Sequence, residues 1–160
     1  LGVEPVEEGA MEQPPRPADR GLFDRSFSLR LAWQGLMGGG LTLAAYFLGF
    51  TRLAAPGLEG AVANTMAFAT LCLSRLFHGF NCKSGRPVLF TRAFWNNKFL
   101  LGAFAVGALL LAAVLLIPPL EPLFQVAELS VGLVGCIVGL AFGSMVVIQV
   151  LKAIRSMGKK

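Results

Sequence analysis

Charged residues are scarce in this sequence, and nearly all of them lie outside its long apolar runs. Only 14% of the 160 residues are charged, whereas 55% are hydrophobic and the mean hydropathy is +0.67. A soluble domain of this length needs more polar surface, so the composition excludes that class and predicts an all-α, polytopic membrane protein. The 19 glycines agree with this prediction, because glycine is commoner in membrane helices than in soluble ones.

The residue types that usually carry catalysis or bind metals are few and scattered. Cys72, Cys82 and Cys136 form no C-x-x-C pair, and the single histidine, His78, lacks a second zinc ligand one helical turn away. The sequence also has no glycine-rich phosphate loop, no paired carboxylates within a span and no nucleophile beside a base. It therefore predicts no catalytic residue, no metal site and no cofactor within these 160 residues.

Four hydrophobic segments are each long enough to cross the bilayer core, which requires ~20 residues of helix. In chain order the predicted spans are 28–50, 61–81, 99–117 and 131–151. A polar, proline-containing linker (1–27) precedes them, and a basic tail (152–160) follows.

The basic residues predict the orientation of these spans. Of the 14 lysines and arginines, 11 lie before the first span, between the second and third, or after the fourth, and a twelfth, Arg30, is the third residue of the first span. By the positive-inside rule these segments, and with them both termini, are predicted to be cytoplasmic. The net charge of +5 is thus a topology signal, so we expect a multi-pass protein of the cell membrane with the lipid bilayer, and no nucleic acid, as a partner.

Two spans carry glycines at four-residue spacing, which lets the backbone of another helix approach closely. Gly35 and Gly39 form such a pair in the first span, and Gly135, Gly139 and Gly143 form a ridge in the fourth. The sequence predicts that both faces pack against other helices.

Apart from Arg30, at the very start of the first span, Arg75 is the only charged residue inside a predicted span. It lies six residues before the exit at Asn81, roughly 9 Å deep at ~1.5 Å per residue. An arginine there costs ~2.5–3.5 kcal/mol unless it pairs, faces a bundle interior or reaches the headgroups, and these alternatives stay open. Ser74, His78 and Asn81 lie near it at helical spacing, so we predict a polar strip that supports it and faces a partner helix.

The same stretch carries a family resemblance. The strings TMAF (65–68), LSRLFHGFNCKSGR (73–86) and NNKFL (96–100) resemble the eighth membrane helix of P-type calcium-transporting ATPases and the start of the next helix. LGVEPVEEGAMEQPPRP (1–17) resembles the segment that leaves the sixth helix of the same pumps. The resemblance implies that the chain is helices seven to ten, the C-terminal region that supports the ion-binding helices of a cation pump, with calcium as the expected ion.

The resemblance also implies what the chain would need. A full-length pump uses ATP and magnesium, and its D-K-T-G and T-G-E motifs are absent here, so this part alone should not hydrolyse ATP and the remainder of the pump is the expected partner. Arg75 falls where two-site calcium pumps place a ligating glutamate, which implies a tethered counter-cation at a vacant cation site. Gln149 stands where relatives often have an acid, and its role does not follow from the sequence.

One alternative remains open at this level. A self-contained four-helix membrane protein with a packing or accessory-subunit role would have the same composition and the same spans. The identity and the stoichiometry of the ion also depend on ligands in helices outside this sequence.

Overall fold

The structure is a computed structural model that describes residues 25–53, 56–83, 87 and 91–157. These residues are mostly helical and include no strand, which confirms the all-α class. The predicted linker (1–27) lies outside the described residues as far as residue 24, and so does the end of the predicted tail from residue 158.

The described ranges contain six α-helices. They are α1 (Arg25–Leu48), α2 (Glu59–Cys82), α3 (Arg92–Trp95), α4 (Lys98–Leu116), α5 (Glu121–Phe124) and α6 (Val131–Met157). A π-helical turn, Gly49–Leu53, extends α1, and a 3₁₀ turn, Pro118–Leu120, joins α4 to α5. Because α6 continues to Met157, the first six residues of the predicted basic tail are helical.

Three of these helices, α2, α4 and α6, are long and apolar enough to cross a membrane, so the chain is an integral membrane protein. They lie over the second, third and fourth predicted spans. The helix over the first predicted span, α1, is not among them, because Gln34 and its glycines make that segment less apolar. Four crossings, and the side on which the termini lie, therefore stay predictions.

The central helix of the described structure is α2, which packs against α1, α4 and α6. The core that α2 shares with α6 includes Val62, Met66, Ala69 and Leu73, spaced by three or four residues as one face of a helix requires. From α6 the residues that meet this core are Leu133, Ile137 and Ala141. By contrast, α4 has no buried residue and lies at the edge of the group.

Two glycines that the spacing patterns did not single out lie where helices approach most closely. A Cβ on Gly49, just after α1, would stand 2.8 Å from the Cα of Ala63 near the start of α2. A Cβ on Gly107 of α4 would stand 2.6 Å from a methyl group of Leu76. The Gly49 contact places the end of α1 beside the start of α2, so these two helices run antiparallel.

An aromatic cluster joins α2 to three other helices at the end where α2 stops. The ring of Phe80 stacks on Phe94 of α3 with 4.7 Å between centroids, and it meets Phe104 of α4 edge-on at 5.4 Å. Phe77 lies 5.6 Å from Phe142 of α6. Aromatic pairs of this kind contribute ~0.5–1.5 kcal/mol each beyond the area they bury, so they stabilise the packing of other helices against the C-terminal end of α2.

Candidate functional site

The polar residues predicted to form one strip on α2 differ in how deeply they are buried. Ser74 and Asn81 are buried, His78 is half-buried, and Arg75 is exposed. The Ser74 hydroxyl donates to the Leu71 carbonyl of its own helix at 2.9 Å, so this hydrogen bond does not involve Arg75. Burial thus distinguishes Ser74 and Asn81 from Arg75, and the support of Arg75 by the other three residues stays a prediction.

Arg75 extends from the side of α2 that lies next to α1. One guanidinium nitrogen is 3.8 Å from the place that a Cβ on Gly38 would take, which is an ordinary van der Waals distance, so the guanidinium lies beside Gly38 of α1. Among the described residues Arg75 makes no hydrogen bond or ion pair. The sequence has no acidic residue between positions 60 and 120, so an anionic partner for this cation has to come from another part of the chain or from another molecule.

Asn81 joins α2 to α6 through a buried polar contact, and this contact gives Gln149 a role. The Gln149 Nε2 donates to Asn81 Oδ1 at 2.7 Å, and both side chains are almost fully buried. The ammonium of Lys152, one turn further along α6, donates to the Asn81 backbone carbonyl at 2.5 Å. That carbonyl lies in the last turn of α2, where carbonyl groups lack intrahelical partners and a cation is favourable.

A cleft of about 780 Å³ opens beside this contact, between the start of α1 and the ends of α2 and α6. Its cations are Arg30 of α1 and Lys152 and Arg155 of α6, and none of the described residues that line it is acidic. Apolar side chains, among them Trp33 and Ile148, form the remainder of its wall. The cleft thus combines positive charge with apolar surface at one end of the helix group.

The opposite end of α2 holds a second long-range polar contact. Thr65 is 1% exposed, and its hydroxyl donates to the Ala61 carbonyl at 2.8 Å and accepts the N–H of Ala127 at 2.8 Å. Ala127 lies in the segment between α5 and α6, so Thr65 anchors that connection to α2. Sequence reasoning missed this residue, because a threonine in an apolar run gives no sign of its partner.

The glycines predicted to pack against other helices have open surroundings. A Cβ on Gly35, Gly39, Gly135, Gly139 or Gly143 would meet no atom of the described residues within 4 Å. Their packing role therefore stays a prediction, and a partner for these faces would have to lie beyond the described part of this chain.

Within the described ranges there is no group of three or more histidine, cysteine, aspartate or glutamate residues that could hold a metal ion. The sequence also offers no glycine-rich phosphate loop. The described arrangement joins helices through buried polar hydrogen bonds, and it leaves Arg75 exposed.

Comparisons with known proteins bear on the family of the chain. A family model described as "Cation transporting ATPase, C-terminus" matches residues 1–154. The chain is 34% identical over 133 residues to a calcium-transporting ATPase of Bacillus subtilis, which covers 82% of this chain and 14% of that protein.

Two further relatives cover 95% of the chain. Calcium-transporting ATPase 1 of Bacillus cereus is 32% identical over 164 aligned residues, which are 18% of its length. Calcium-transporting ATPase type 2C member 2 of Mus musculus is 30% identical over 152 residues, which are 16% of its length. The chain therefore spans only 14% to 18% of these three relatives. The resemblance seen in its motifs is confirmed, and the chain belongs to the family of cation-transporting ATPase C-terminal regions.

Proposed function

We propose that this chain acts as the C-terminal membrane region, helices seven to ten, of a longer P-type pump that couples ATP hydrolysis to the transport of a cation, with calcium as the ion. Its task is to support the helices that bind the ion, as a multi-pass part of the cell membrane. The family match over residues 1–154 supports this proposal, and so do the names of the relatives, which are calcium-transporting ATPases. ATP and magnesium belong to the remainder of the pump in this proposal.

The observation that carries the proposal is the position of Arg75. An exposed guanidinium about 10 Å from the end of α2 is costly in lipid unless an anion meets it or its long stem carries it to the headgroups. It lies against Gly38 of α1, next to the open glycine Gly39. A helix packed on this open face could bring a carboxylate to the arginine, which is what a pump's ion-binding helices would supply.

In that position Arg75 would act as a tethered counter-cation. A guanidinium cannot coordinate calcium, because calcium requires oxygen ligands, but it can neutralise a carboxylate that would otherwise bind an ion. Ser74, His78 and Asn81 support the helix that carries it rather than the arginine itself, since Asn81 is fixed by Gln149. One transported calcium per cycle is the expected stoichiometry.

The test is a set of Arg75 variants in the longer pump, with calcium uptake and ATP hydrolysis measured on the same vesicles. Removing the arginine in Arg75→Ala would leave a buried carboxylate unpaired, at a cost of ~3–5 kcal/mol, and should reduce coupled transport while the protein still inserts. Arg75→Lys should also lower turnover, because a compact ammonium replaces a planar, forked donor. Arg75→Glu should raise the number of calcium ions bound per pump.

Lys98→Ala is the matched control, because it removes one positive charge at the start of α4, outside the predicted spans. It should leave calcium transport unchanged. Normal transport in both Arg75→Ala and Arg75→Lys would show that Arg75 only reaches the headgroups. If the coding sequence upstream of the chain encoded no phosphorylation domain, the self-contained four-helix protein would replace the pump.

A further inference from the structure

The cleft beside the Asn81–Gln149 contact has the chemistry of a binding site for an amphipathic anion. Its two arginines, Arg30 and Arg155, come from different helices and face the same opening as Lys152. Arginine presents a planar fork of donors that matches a phosphate group. The apolar part of the wall, including Leu31 and Ile148, would suit a hydrocarbon chain rather than water.

The position of the cleft indicates where such an anion would come from. The cleft is formed by the start of α1 and the ends of α2 and α6, and α2 and α6 are helices that can cross a membrane. It therefore lies where these helices leave the hydrocarbon core, at the end that carries the basic residues. Trp33, in the cleft wall, is 53% exposed, as is usual for a tryptophan at the level of the lipid headgroups.

We propose that this cleft binds one anionic glycerophospholipid, with the headgroup phosphate between Arg30 and Arg155 and an acyl chain along Leu31 and Ile148. Basic pockets between membrane helices on the positively charged side bind anionic headgroups in this way. Free phosphate shares the headgroup chemistry but lacks the acyl chain, so it would leave the apolar wall exposed. The site is independent of ion transport, because it uses neither Arg75 nor a partner helix.

In the experiment the purified 160-residue chain is reconstituted into phosphatidylcholine nanodiscs with and without phosphatidylglycerol. After gentle release, native mass spectrometry measures which lipids the chain retains. The wild-type chain should retain one phosphatidylglycerol in preference to phosphatidylcholine. Each basic residue near a membrane surface contributes ~1 kcal/mol toward an anionic lipid, which is a factor of about five in affinity. The double variant Arg30→Gln with Arg155→Gln should therefore bind phosphatidylglycerol about 25-fold more weakly.

Two controls separate the cleft from general attraction between charges. Arg25→Gln with Lys98→Gln removes two positive charges that do not line the cleft, and phosphatidylglycerol retention should stay at the wild-type level. Arg30→Lys with Arg155→Lys keeps both charges and should recover most of the binding lost in the glutamine pair. A photoreactive phosphatidylglycerol, which needs no variant, should crosslink to the start of α1 and the end of α6 in the wild-type chain.

The proposal is overturned if the wild-type chain shows no preference for phosphatidylglycerol, or if both pairs of glutamine variants weaken retention equally. Crosslinks elsewhere on the chain would also refute it. Inorganic phosphate that displaces the lipid at a similar concentration would identify the ligand as free phosphate rather than a lipid. None of these results depends on calcium transport, so failure of this inference and failure of the proposed pump function are distinguishable.

Discussion

Two buried threonines on α2 allow a sharp test of how polar groups hold this helix group together. Thr65 and Thr70 are 1% and 0% exposed, lie five residues apart and have the same shape. The hydroxyl of Thr65 accepts the N–H of Ala127, whereas that of Thr70 has no hydrogen-bond partner among the described residues. Replacement by valine exchanges the hydroxyl for a methyl group and keeps the branched shape, so the two substitutions differ only in the hydrogen bonds that they remove.

The two substitutions should change the free energy of unfolding differently. Thr65→Val leaves the Ala127 N–H without its acceptor, and an unsatisfied buried group costs ~1–3 kcal/mol. Hydrogen bonds between helices in membrane proteins average only ~0.6 kcal/mol, and Ala127 is half-buried, so we expect a loss of about 1 kcal/mol in the free energy of unfolding. Thr70→Val removes a buried hydroxyl that has no described partner, and it should be neutral or stabilise by up to about 1 kcal/mol.

The assay is unfolding of the purified chain in mild micelles by titration with dodecyl sulfate, followed by circular dichroism. Hydrogen exchange of the peptide that contains Ala127 gives a local measurement of the same bond. A loss of 1 kcal/mol corresponds to exchange about five times faster at that amide in Thr65→Val, with no change in Thr70→Val. Equal stability and equal exchange in the two variants would show that the Thr65–Ala127 bond contributes nothing and that the reasoning is wrong.

Three further predictions follow from the helix contacts. Gly49→Ala should destabilise the chain by about 1–3 kcal/mol in thermal unfolding, because its Cβ would meet the Ala63 backbone. Gly39→Ala is the control and should leave thermal unfolding unchanged, because its Cβ would meet nothing within 4 Å. Equal effects of the two substitutions would argue against the close approach at Gly49. Gln149→Leu should cost about 0.6–1.7 kcal/mol in dodecyl sulfate unfolding, since it removes the donor to Asn81 Oδ1, and a silent variant would refute that bond's role. Single cysteines introduced at Lys83 and Glu121 in a cysteine-free chain should react with impermeant thiol reagents from opposite membrane sides; reaction from the same side would refute the four-span topology.

The sequence predicts the helical class well because the bilayer restricts the solutions. A segment of ~20 apolar residues in lipid has to satisfy its own backbone hydrogen bonds, and this requirement alone dictates a helix. The helices α2, α4 and α6 accordingly lie over three predicted spans. The first span is the weakest of the four, since its glycines favour close packing at the expense of hydropathy.

Contacts between helices could not be predicted in the same way. Periodicity groups Ser74, His78 and Asn81 on one helix, but it gives no information on which residue of another helix meets them. Gln149 is 68 residues from Asn81 in the chain, and only the relative positions of α2 and α6 bring the two amides together. The same limit applies to Arg75: its depth follows from counting residues, whereas its direction toward α1 depends on how the two helices pack.

The glycines show the difference between contacts made within this chain and contacts offered to others. Ala63 occupies the space beside Gly49, and Leu76 occupies the space beside Gly107, so each glycine lets two helices of the same chain approach. The predicted four-residue patterns instead leave Gly35 and Gly139 open to their surroundings. Lipid tails gain nothing from a small-residue groove, because association of membrane helices depends on close packing between backbones. That the regular patterns are docking faces for further helices stays a prediction, and under the proposed function the helix that docks beside Gly39 would carry an acid to Arg75.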